Sequence, residues 1–431
     1  MIDLRGKRLL VLGGTAFSCE IVRAAHLMGV HVMVTDYNAD SPAKRMADES
    51  FMVNAADVDA LEELCRKQRI DGVLTGFADS LLLSAAELCE RLGLPFYATR
   101  EQLKITLDKT AFKRECRRYG VPVARQYEYF GGAVGGELAD AFPVIVKPVD
   151  GSGGRGITIC EFPEELKQAY EHALGFSKKG EVLVEHYVKG TEATAFYAFE
   201  DGEVTLLGVA DRYVSKLASS GIIPLPVAYG FPSVETARFI ASVHPKLTEM
   251  FRGLGMRNGM VFLQMMIEDG DIVVLEPGYR LTGSLEYHIT KRDYGYSALE
   301  RMIRFALTGT MGEPRASECA HGAFTRYYAN LTYLARPGTI GGMCTAQELS
   351  ALPGVITAVP AYWEGDIIPQ AAEGTLMQVF MRAFIQADTV ADLRAVARLV
   401  TRAVHIEDAS GESMLLPAFD PERFMFPTFR R

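Results

Sequence analysis

Four glycines crowd into the six positions Gly151-Ser152-Gly153-Gly154-Arg155-Gly156, and Lys147 closes the apolar run just before them. Glycine has no Cβ, so backbone N–H groups there can turn inward and approach a polyphosphate closely. Lys147 brings a positive charge to the same place. No Gly-Lys-Ser/Thr opens a helix here, so this is not a P-loop. Taken alone, the run reads equally well as a glycine-rich hairpin tip with no ligand.

Two further segments weigh toward chemistry. After Val182-Leu183-Val184-Glu185 the chain continues His186-Tyr187-Val188-Lys189-Gly190-Thr191-Glu192. A strand running into an extended connector offers backbone groups to an adenine edge, and Glu192 could accept from ribose hydroxyls. Gln264 and Glu276 then lie on the two arms of one hairpin. A loop at residues 269–271 sets them opposite each other on one face, whereas a two-residue loop sets them on opposite faces. Oxygen ligands converging there suit magnesium, which takes one or two carboxylates plus phosphate oxygens. Arg280, four residues beyond Glu276, is expected to face the same cleft. Gly13-Gly14 with Asp36 suggests dinucleotide binding, but the GxGxxG spacing is missing, and a tight turn is the favoured reading.

The elements that must position these groups fall into three regions. Apolar runs at 8–12, 30–35, 72–75 and 94–97 alternate with helical patterns, which argues for a parallel sheet covered on both faces. From about residue 101 the texture changes. A helix over 110–119 is stopped by Gly120 and Pro122. Antiparallel hairpins follow at 144–148 with 157–160, 191–199 with 204–210, and 259–267 with 272–276. The helical stretch 234–254 contains Pro245 and is expected to kink or split. Strands near 323–334, 376–384 and 403–408, with a helix at 390–402, make up the remainder. The expected domains are 1–100, 101–312 and 313–431.

Composition narrows the class. The 431 residues exceed one ordinary core, 48% of them are hydrophobic, and the net charge is −9. That balance excludes disorder and a general nucleic-acid footprint. No apolar run reaches the roughly 18 residues of a membrane helix, and the amino terminus lacks a signal-peptide stretch. The seven cysteines are scattered with no CxxC pair and read as reduced residues of a cytoplasmic protein.

In this order the segments resemble the ATP-grasp superfamily, and its biotin-carboxylase-like, carboxylate–amine ligase branch in particular. The resemblance implies α/β and α+β domains: a Rossmann-like pre-ATP-grasp domain, a two-lobed ATP-grasp domain and a C-terminal α/β cap. It implies ATP and magnesium, with manganese as an alternative, and a small-molecule carboxylate and amine as substrates. It further implies a homodimer, with neither nucleic acid nor membrane as partner. Residue by residue, Lys109 and Lys147 look like the two phosphate lysines, and Gly151, Ser152, Gly153, Gly154, Arg155 and Gly156 like the mobile loop. Glu185, His186 and Val188 look like the adenine hinge, and Glu192 like the ribose acid. Gln264 and Glu276 look like metal ligands, with Arg280 and Lys147 as the catalytic cations.

Two departures stand out. Gly278 occupies the position where the family usually has Asn, and Gln264 the position where Glu is commoner. An asparagine at 278 is expected to be tolerated if the backbone there does not need a positive φ.

The chemistry implied is phosphorylation of a carboxylate to an acyl phosphate, which an amine or thiol then attacks. His288 is a candidate general base, although a structural role suits it better. Substrate contacts are expected in the long connection 211–230 and in the cap. Alternatives are a carboxylase using bicarbonate and a nucleotide-binding regulator without turnover. An oxidoreductase reading rests on Gly13-Gly14 alone.

Overall fold

The computed structural model describes residues 2–151, 155–215, 224–320 and 324–428. The first region forms a four-stranded parallel sheet in the order Glu49–Phe51, His31–Thr35, Arg8–Leu12, Gly72–Leu74. Strands Arg8–Leu12, His31–Thr35 and Gly72–Leu74 are almost wholly buried, as a sheet covered on both faces requires, whereas the edge strand Glu49–Phe51 is partly exposed. Asp36 accepts a hydrogen bond from the Gly14 amide at 2.7 Å, so the carboxylate locks the turn that follows the first strand. Gly13 has φ +90° and a Cβ on Gly14 would lie 2.5 Å from that of Ser41, which accounts for both glycines as turn residues. Residues 94–97, expected as a strand, form none. Tyr97 instead packs against Tyr279 and donates to its carbonyl at 2.8 Å, so tertiary packing claims the apolar run.

A small antiparallel sheet follows in the order Gln126–Tyr127, Val182–His186, Val144–Pro148, Thr158–Cys160. It places Lys147 and the start of the glycine run at one end. The largest element is an eight-stranded antiparallel sheet: Asp271–Gly278, Gly259–Glu268, Thr191–Glu200, Glu203–Ser215, Leu225–Phe231, Tyr327–Leu334, Val379–Ala387, Val355–Pro360. Strands on both sides of residue 312 therefore share one sheet, and the pairing of Leu225–Phe231 with Tyr327–Leu334 joins the two regions through backbone hydrogen bonds.

Helices break where the sequence demands. The stretch around Pro245 splits into Thr236–Ser242 and His244–Gly253, with Pro245 in the first turn of the second, where its missing N–H leaves no bond unmade. Lys109–Arg118 begins at Asp108, whose carboxylate accepts from the Ala111 amide at 2.8 Å. The cysteines are all free and six of the seven are buried. Among the described residues no helix is long and apolar enough to cross a membrane.

Candidate active site

Helix Lys109–Arg118 sets Lys109 and Lys113 four residues apart, hence on one face. The two side chains then part company. Lys109 Nζ donates to the Gly151 carbonyl and stands 3.6 Å from Glu276 Oε2. Lys113 runs inward, with a fully buried side chain, to pair with Glu185.

Glu185 is shared. Its second oxygen lies 2.6 Å from Lys147 Nζ, so one carboxylate with no exposed surface holds two ammonium groups. Strand pairing explains the contact: Glu185 sits opposite Ile145, and Lys147, two residues on, shares its face. Burial and the Lys147 charge push Lys113 down to about 7 against the pull of Glu185. Burial also acts to lower Lys147, but Glu185 outweighs it and holds that lysine above its ordinary value. Burial would raise Glu185, yet the two lysines keep it below the usual carboxylate range. The lysines split because one carboxylate cannot neutralise both.

Glu276 and Gln264 are cross-strand partners on one face. Among the described residues no group of three His, Cys, Asp or Glu side chains could hold a metal. What remains is one carboxylate and one amide oxygen, a donor set that suits a cation carried mainly by phosphate oxygens. Gly278 does not have a positive φ. The expectation that asparagine fits there fails for another reason. A Cβ would meet the Phe262 ring at 2.2 Å, because Phe262 is the direct cross-strand partner and lies over the glycine.

The remaining expected site residues are placed as follows. Arg280 grips Asp79 of the first region with Nε and Nη2 at 2.7 and 2.6 Å and lies 5.1 Å from the centre of the Phe262 ring. Glu192 is paired with Arg212 across neighbouring strands. His186 lies 3.1 Å from Glu268, which also accepts from the Lys189 amide at 2.7 Å and so pins the connector to the end of the hairpin. Gly190 approaches so closely that a Cβ would lie 1.8 Å from the Ile267 carbonyl oxygen. Val188 is buried and Arg155 exposed. Gly156 has φ +73° with Phe176 packed on it. Ser152, Gly153, Gly154 and residues 216–223 of the expected substrate connection lie outside the described residues. His288 pairs with the buried Glu20 at 2.9 Å and packs on Phe384.

Sequence reading missed four groups. Lys113 had a signal in its four-residue spacing from Lys109, and Arg382 in being the lone charge within a buried strand. Asp79 had none. Glu286 is buried, and burial pushes its carboxyl up to about 7 against hydrogen bonds from its own amide and Ser284.

Residues 22–96 match the ATP-grasp N-terminal domain, and residues 108–216 the carbamoyl-phosphate synthase L chain, ATP-binding domain. The first of these is an ATP-grasp domain, and the relatives that the chain resembles are biotin-carboxylase-like and ATP-grasp ligases. The chain is 29% identical over 217 residues to a formate-dependent phosphoribosylglycinamide formyltransferase of Synechococcus, covering 49% of this chain and 52% of that protein. The chain thus spans about half the length of the curated relatives it matches. The biotin carboxylase domain of Hydrogenobacter thermophilus 2-oxoglutarate carboxylase, solved with MgADP, ADP and bicarbonate, has the same fold. Its TM-score is 0.77 at 20% identity, covering 93% of this chain and 90% of that one. Phosphoribosylglycinamide synthetase from Anaerococcus prevotii superposes with a TM-score of 0.74 at 19% identity, over 94% and 100% of the two chains.

Proposed function

We propose that this chain is an ATP-dependent ligase that phosphorylates a carboxylate and joins the acyl phosphate to an amine or thiol, releasing ADP and phosphate. The observation that carries the reading is convergence: Lys109 comes from a helix, Lys147 from the small sheet and Glu276 from the large one. Lys109 and Glu276 stand 3.6 Å apart. Phosphoryl transfer asks for charge neutralisation and positioning, which such a cluster supplies.

Lys109 and Lys147 hold the phosphates, with Glu185 fixing Lys147 in place. Glu276 and Gln264 would hold magnesium, or manganese in its place, which spreads charge over the β- and γ-phosphates when bound. The connector at 185–192 receives the adenosine. Arg280, oriented by Asp79, steadies the carboxylate that is activated. The chain divides at about residue 100, its regions before and after residue 312 are joined by the large sheet, and it acts in the cytoplasm as a homodimer.

A bicarbonate-using carboxylase is the second reading, supported by likeness to the biotin carboxylase domain. An ADP-release screen over amino acids, sugar acids and bicarbonate, each with and without an amine, tests both. Release that needs both a carboxylate and an amine or thiol supports the ligase; release that needs bicarbonate alone supports the carboxylase.

A further inference from the structure

One face of the eight-stranded sheet carries a row of polar side chains passed from strand to strand. It runs from Glu276 through Gln264 to Glu192, Arg212, Tyr229 and Asn330, and ends where Thr332 faces Arg382. Cross-strand partners share a face, and so do residues two apart on one strand, so the row is continuous. Charges along it are answered: Glu276 by Lys109, and Glu192 by Arg212.

Arg382 is the exception. Its residue surface is 3% exposed, yet among the described residues no carboxylate pairs with it. Nη1 donates to Thr332 Oγ1 at 2.5 Å, and the guanidinium lies 5.5 Å from the centre of the Phe17 ring. Nε is buried with no partner. Burial without a counter-charge lowers this arginine to about 10. On the neighbouring strand Asn330 Nδ2 donates to the Ser284 carbonyl at 2.7 Å, which fixes the amide orientation and leaves Oδ1 as a buried acceptor without a donor.

Buried polar groups are normally satisfied, and an unneutralised buried cation is costly enough that folds retain one for a reason. Two such orphans of opposite character therefore define a complement: an oxyanion for Arg382 and an N–H or O–H for Asn330. The position fits a substrate. The segment after Arg280 crosses this face, since Gly283 approaches Phe17 and Ser284 bonds Asn330. That segment links the phosphate end of the row to Arg382.

We propose that Arg382, supported by Thr332 and Asn330, is the receptor for a carboxylate or phosphate group of a small substrate that carries a hydrogen-bond donor beside it. The role in catalysis rests on the ligase reading, but the site can be tested without nucleotide.

The test is thermal melting of the full chain in glycine, acetate or inorganic phosphate, each against sodium chloride of equal ionic strength. Wild type is expected to melt higher in at least one of the three, as a ligand of the folded state requires. Phosphate acting alone identifies a phosphate group, acetate and glycine together a carboxylate, and glycine above acetate the adjoining donor. Arg382→Met is expected to lose the response while melting in chloride at or above wild type, because a buried charge has gone. Arg382→Lys should keep part of it. A response retained in Arg382→Met overturns the proposal, as does wild type without an anion-specific response, or an Arg382→Met that melts far below wild type with the response unchanged. Should Arg382→Met not fold, Thr332→Val removes only the supporting hydroxyl. A weakened response then supports the site and an unchanged one overturns it. Failure of the ADP-release screen with the anion response intact would strike the ligase reading and leave this receptor standing.

Discussion

Gln264 faces Glu276 because Leu275, between two paired positions, is bulged out of the ladder. The hairpin turns through Asp269 and Gly270, both with positive φ, and Glu268 pairs with Asp271. Strict alternation from that two-residue loop would set Leu275 opposite Gln264 and turn Glu276 to the other face. The extra residue at the bulge brings it back. The facing arrangement expected for a three-residue loop is thus reached by a different route.

If that pair holds the metal, Glu276 is the side chain with full charge. Glu276→Ala is expected to lower ADP release by roughly two orders of magnitude or more. Gln264→Ala should chiefly raise the free magnesium needed for half-maximal rate. A magnesium titration of both variants checks this, and a normal metal dependence in Glu276→Ala would place the metal elsewhere.

Gly278 is a packing position. Gly278→Asn drives a side chain into the Phe262 ring and is expected to lose about 1–3 kcal/mol of stability, typical of overpacking. The double variant Phe262→Ala with Gly278→Asn should recover part of that loss and lower the magnesium requirement. Melting curves and the same titration follow the two effects separately.

Glu185 holds two ammonium groups in a dry site, so its loss should be the most damaging of the triad. Glu185→Gln is expected to destabilise by about 3–5 kcal/mol, and Lys147→Met by less, because Lys113 still neutralises the carboxylate. The lysines of Glu185→Gln would then bind fewer protons folded than unfolded. Stability must therefore rise with pH, most steeply above neutrality. Urea unfolding at several pH values between 6 and 9 measures it, and a flat or falling profile would contradict the shared-carboxylate arrangement.

Glu286 makes the opposite prediction. Its folded carboxyl is raised from 4.5 to about 7. The stability it contributes is complete below about pH 4.5 and lost as pH rises through about 7. Glu286→Gln should remove that loss, so it gains on wild type between pH 5 and pH 8. A difference between the two that does not change with pH would mean that Glu286 is charged throughout.

Much of this was legible in the sequence because local patterns carry it. Alternation and turn residues located the hairpins, and Pro245 announced the helix break. The lysine and the glycine run marked one end of the small sheet, where Lys147 closes its strand and the Gly151 carbonyl accepts from Lys109. What was hidden depends on long-range partners. Nothing near Asp79 foretells Arg280, 201 positions away. Phe262 reads as a core residue until the register sets it on Gly278. Lys113 and Arg382 were visible as lysine and arginine, but only the folded chain shows that one is neutralised by Glu185 and that the other lacks a carboxylate. Tyr97, in an apolar run with strand texture, was claimed by Tyr279 instead of a sheet.

The central claim is that Lys109, Lys147 and Glu276 hold nucleotide phosphates for transfer to a carboxylate. The most direct measurement is steady-state ADP release by wild type and Lys147→Met over the carboxylate and amine panel, with melting recorded for both. The account predicts release by wild type that requires a carboxylate and an acceptor together, and none above background in a folded Lys147→Met. Wild-type turnover in that variant, or release indifferent to every carboxylate, would contradict it.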